Sequence, residues 1–119
     1  MEDWQLDFDW LRIQHLIKDQ LGNDRLPDMN TVLILIGIQE LGMPRKKWTK
    51  EEKQDLMHIG VCSLLSHDGY YEFIGRDEDG WPHFKQLRKV SAEGVDNQEK
   101  LLKAEAIKYF DVLAKENSW

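Results

Sequence analysis

Apolar residues at Trp10, Ile13, Ile17 and Leu21 recur at spacings of three and four, which predicts a first helix over about residues 7 to 21. Asp7 is placed to cap it, and Gly22 with Asn23 supplies the stop. The run Val32 to Ile38 is apolar throughout and rich in β-branched residues, a composition that also suits a buried strand. Length decides for a second helix over about 28 to 41. The stretch from Asp28 to Gly42 is about twice a normal strand, and Gln39-Glu40-Leu41 continues in helical style.

Thr49 and Glu52 have the spacing of a capping box, so a third helix is expected from about 50 to 67, before Gly69. Plotted at about 100° per residue, Met57, Val61, Leu64 and Leu65 share one face, while Leu56 and Ile59 fall nearly opposite. This helix must therefore cover two sides. The period then changes. Tyr70 to Ile74, a turn-rich Gly75 to Gly80, and Trp81 to Leu87 predict a β-hairpin over about 70 to 88. Aromatic residues on both arms favour cross-strand pairing, and Asp79-Gly80 tolerates positive φ. Pro82 lacks an N–H donor, so its strand is an edge strand or begins after it.

Ser91 to Val95 is expected to be a connector. Asp96 and Glu99 then open a last helix over about 96 to 115, with Leu102, Ala106, Tyr109, Phe110 and Leu113 as its apolar stripe. Glu99 with Lys103, and Asp111 with Lys115, are spaced for solvent-side pairs. The fold class that follows is mainly α: a compact bundle of four helices with one β-hairpin between the third and fourth, in a single domain over 1 to 119. A chain of this length can bury about two thirds of its unfolded surface, enough for one core.

Charge narrows the functional classes. Twenty-two acidic residues face 16 basic ones, for a net charge of -6, which opposes approach to a polyphosphate, so no specific nucleic-acid partner is expected. The order of three helices followed by a hairpin is that of winged-helix proteins, and a nucleic-acid binder of that type is the alternative reading. Its chemistry is unfavourable, since the third helix opens on Glu51-Glu52 and the would-be wing carries Asp77, Glu78 and Asp79. No apolar run reaches the ~20 residues of a membrane span, and the first residues are acidic where a secretory signal is basic, so a cytoplasmic protein without membrane contact is expected.

Candidate chemistry is sparse. The lone Cys62 excludes an intrachain disulfide. Asp55, His58 and Cys62 fall on one arc of the third helix, where an imidazole could activate a thiol, but Val61 and Leu65 beside it point to a packed, inert cysteine. His15 and Asp19 share a helix face, yet supply only half of a tetrahedral metal site. Asp77 to Gly80 resembles part of a calcium loop and fails at both its first and last ligand positions, Gly75 and Gln86. A small metal- or thiol-dependent enzyme is thus a second alternative, with neither cofactor nor catalytic residue assigned.

The most suggestive local feature is Arg45-Lys46-Lys47-Trp48, cations and an aromatic ring beside the N-terminus of the third helix, where free N–H groups favour an anion. Trp48 is also placed to staple onto Lys53 or Leu56. The expected function is a non-enzymatic protein-interaction or regulatory module. Arg45, Lys46, Lys47, Trp48, Leu56 and Ile59 form its anion- or partner-binding surface, holding a protein partner or a second copy.

Overall fold

The computed structural model describes residues 3–43, 45, 47–90 and 94–119, and the side chains of 94–96 are left aside. It contains four helices, α1 (Asp3–Leu21), α2 (Met29–Leu41), α3 (Lys50–Ser66) and α4 (Gly94–Glu116). An antiparallel hairpin, β1 (Tyr71–Arg76) with β2 (Pro82–Gln86), lies between α3 and α4 in sequence. The mainly helical class with one hairpin is therefore as expected. The chain divides into two compact units, one built on α1 and α4, the other on α2, α3 and the hairpin.

In the first unit α1 buries Leu6, Trp10, Ile13 and Ile17, one stripe at helical spacing. It starts at Asp3 rather than at Asp7. Leu6, one turn before Trp10, extends the apolar stripe upstream, so helix formation there is reinforced by burial and Asp7 becomes an exposed mid-helix residue. Gly22, at φ 65°, ends the helix as expected, with the Asn23 N–H bonded to the Lys18 carbonyl. On α4 the buried residues include Ala106, Ile107 and Phe110. Lys100 meets Asp3 at 3.4 Å and Arg12 meets Asp111 through two hydrogen bonds of 2.9 and 3.2 Å, so the two helices run side by side in the same direction.

Among the described residues Asp111 pairs with Arg12 and not with Lys115, whereas Glu99 and Lys103 do pair, at 3.7 Å. A bidentate guanidinium is the better partner for a carboxylate, which explains the exchange. The helix begins at Gly94, so the end of the expected connector, Gly94 and Val95, is helical, and Asp96 sits within the helix instead of opening it. The rest of that connector, 91–93, lies outside the described residues.

In the second unit α2 is a helix, which settles the strand alternative for Val32 to Ile38. It lies antiparallel to α3, Leu33 opposite Gly60 and Gly37 opposite Leu56. A Cβ at Gly37 would stand 2.0 Å from the Leu56 carbonyl oxygen, and one at Gly60 would stand 2.2 Å from that of Leu33. The two glycines let the backbones meet where side chains would hold them apart. The capping box of α3 is complete. The Glu52 N–H donates to Thr49 Oγ1 at 3.1 Å and the Thr49 N–H to Glu52 Oε1 at 3.0 Å.

The hairpin packs against α3. Its register pairs Phe73 with Phe84, their ring centroids 5.7 Å apart, then shifts at Ile74, which bulges outward before Gly75 at φ 129°. Pro82 opens β2 in a two-stranded sheet, where every strand is an edge. Asp77 organises the tip. Its Oδ1 accepts the N–H groups of Asp79 and Trp81, and its Oδ2 meets His83 Nε2 at 2.9 Å.

Candidate functional site

In the cationic segment before α3, Arg45 is engaged by the chain's own residues. Arg45 lies over the Trp48 ring, 4.2 Å from its centroid, and its guanidinium pairs with Glu52, the carboxylate of the capping box. That carboxylate sits where an anion would bind. The Thr49 backbone N–H and then Arg45 hold Glu52 below the ordinary carboxylate range, so it stays ionised over the helix N-terminus. Trp48 meets Trp81 of the hairpin edge-on, centroids 6.2 Å apart, instead of stapling onto Lys53 or Leu56. Lys47 is exposed, and Lys46 lies outside the described residues.

Leu56 and Ile59 are buried, at 0% and 5% exposure, and so are not available to a partner. The expectation fails for a definable reason. The buried side of α3 includes Leu56, Ile59, Gly60, Ser63 and Leu64, and a stripe drawn from apolar residues alone overlooks the glycine and the serine that belong to it. Met57 and Val61, which looked like the core face, are only half-buried.

Cys62 is fully buried, its Sγ 3.5 Å from His58 Nε2. Burial pushes the thiol pKa up to about 11, which disfavours the nucleophilic thiolate. Asp55 and His58 are exposed, and no carboxylate hydrogen bond orients the imidazole among the described contacts. This arc is a packing arrangement. His15 and Asp19 are both exposed on α1, and among the described residues no three His, Cys, Asp or Glu side chains converge on a point that could hold a metal ion.

Asp55 and His58 nevertheless line a cleft of about 400 Å³ between α3 and the hairpin. Ile59 forms its buried base with Pro82, and Trp81 and Phe84 add aromatic walls. The Asp77–His83 pair faces the same space. The His83 hydrogen bond, then the backbone N–H of Trp81 and Asp79, hold Asp77 below the usual carboxylate range, so it stays ionised with both oxygens engaged. Separation along the sequence hid this site, since Asp55 lies on α3 and Asp77 in the hairpin turn, and only the packing of the hairpin on α3 brings them to one cleft.

A second surface lies on α1. Trp4, Phe8 and Leu11 are 69%, 62% and 45% exposed, at spacings of four and three along α1, on the side away from Leu6, Trp10, Ile13 and Ile17. The signal was present in the sequence, but with the helix started at Asp7 Trp4 fell outside it. No helix among the described residues is long and apolar enough to cross a membrane. Comparison with protein-family models, with curated proteins and with solved structures gave no match.

Proposed function

We propose that this chain is a non-enzymatic, cytoplasmic protein-interaction module that docks a protein partner, or a second copy of itself, through the outer face of α1. The observation that carries the reading is the exposed Trp4, Phe8 and Leu11 stripe. Three large apolar side chains on one helix face leave water only against another apolar surface, and tryptophan is a frequent interface anchor. The inner face of α1 is occupied by its own core, so this helix can serve two partners at once: α4 on one side and a foreign surface on the other. The net charge of -6 supports a protein partner over a nucleic acid.

A photo-crosslinking residue in place of Phe8, tested both in the purified chain and in cells of the source, reads this directly. A discrete adduct, suppressed by Trp4→Asp and absent when the crosslinker replaces the exposed Lys108 of α4, is the expected result. No adduct at position 8, or equal adducts at position 108, overturns the proposal. Adduct size separates self-association from a different partner.

A further inference from the structure

We infer that the cleft between α3 and the hairpin is a binding site for an organic cation, a guanidinium or ammonium head seated between Asp55 and the Trp81 and Phe84 rings. Electrostatic sign selects the ligand class. Two carboxylates, Asp55 and Asp77, line the space with two histidines, His58 and His83, and among the described residues no lysine or arginine does, so the permanently charged groups facing it are acidic and disfavour an anion. A bare metal ion lacks a converging ligand set among the described residues. What the walls do offer is aromatic surface beside carboxylate, the combination that holds a diffuse organic cation through its flat or alkylated surface and its N–H donors together.

The same unit shows this chemistry with its own residues. Arg45 stacks 4.2 Å from the Trp48 centroid while pairing with Glu52, and Arg88 stacks 4.1 Å from the Tyr70 centroid. Trp48 in turn packs edge-on against Trp81, one of the cleft's aromatic residues. Asp77 is already engaged by His83 and by two backbone N–H groups. Asp55 is exposed and forms no hydrogen bond or ion pair among the described residues, which leaves it the carboxylate available to a ligand. An open cleft with one free carboxylate and two aromatic rings fits affinity of about millimolar order for an isolated head group.

The test is a two-dimensional amide and indole NMR titration of the full chain with N-acetyl-arginine amide, N-acetyl-lysine amide and agmatine. N-acetyl-glutamine amide and N-acetyl-glutamate amide serve as neutral and anionic controls. The cations should shift the Trp81 indole and the Asp55 and His83 amides saturably, and the controls should not. Asp55→Asn, at an exposed position, should keep the wild-type melting temperature and weaken the cations about tenfold. Tighter binding of a short peptide bearing one arginine than of agmatine assigns the head group to a polypeptide side chain, and the reverse assigns it to a free amine. Equal shifts with the neutral control, no saturation by about 50 mM cation, which is far above millimolar affinity, or undiminished binding by Asp55→Asn overturns the inference.

Discussion

Gly37→Ala should be among the most damaging single changes available to this chain, although by helix propensity alone it is favourable by up to about 1 kcal/mol. The added Cβ would lie 2.0 Å from the Leu56 carbonyl oxygen, against a practical limit of 3.0 Å. One backbone must therefore move by about 1 Å, and no flexible side chain can yield in its place. A radial gap of that size forfeits a quarter to a half of the dispersion attraction across the helix pair, where Val32, Leu33, Ile36, Leu56 and Leu64 are buried. Overpacking of this kind costs about 1–3 kcal/mol with side-chain relief and more against backbone, so a net loss of about 2–4 kcal/mol and a fall of roughly 10 °C in Tm are expected.

Gly60→Ala, which would meet the Leu33 carbonyl at 2.2 Å, should behave alike, and the double variant should be less than additive because one separation relieves both contacts. Gly42→Ala is the contrast: it has open space but φ 74°, and should lose only about 1 kcal/mol to left-handed strain. Urea and thermal unfolding measure all four. If Gly37→Ala equals or exceeds the wild type in stability, the close helix crossing is wrong.

Two further outcomes follow from the titrating groups. With its thiol raised from 9.0 to about 11, Cys62 stays protonated in the folded chain while the unfolded thiol ionises. Stability should accordingly fall as pH rises through 9 toward 11, by about 2 kcal/mol more in the wild type than in Cys62→Ala, and native alkylation at pH 8 should be far slower than after denaturation; equal pH slopes or fast native labelling would refute it. Asp77 is shifted the other way, so its contribution to the hairpin tip is complete above the ordinary carboxylate range near about 4 and is lost as pH falls through its lower folded value. The Trp81 amide shift should follow that acid transition in the wild type and not in Asp77→Asn.

Elements were legible in the sequence where a local signal was sufficient. The capping box of Thr49 and Glu52, the Gly22 stop and the hairpin turn each depend on residues within a few positions of one another, and each is realised. Faces were less legible. Leu56 and Ile59 read as a surplus apolar side because the glycine that completes their face has no hydrophobicity to count, yet Gly60 is there to let α2 approach. The cleft required knowledge of which α3 side chains face the hairpin, a tertiary relation that no spacing within either element encodes.

The segment around Trp48 shows how one set of residues can satisfy a binding motif and a structural one, and which wins. Cations, an aromatic ring and a helix N-terminus are what an anion needs, but Glu52 is an anion already tethered three residues from the cap. A tethered carboxylate occupies the site without the entropy loss of capturing a free one, and Arg45 then closes over it and over Trp48. Trp48 in turn meets Trp81, which lines the cleft together with Asp55. The Arg45 charge is thus spent within the segment, on Glu52 and Trp48, while the carboxylates that line the neighbouring cleft are Asp55 and Asp77, a charge that favours a cation there.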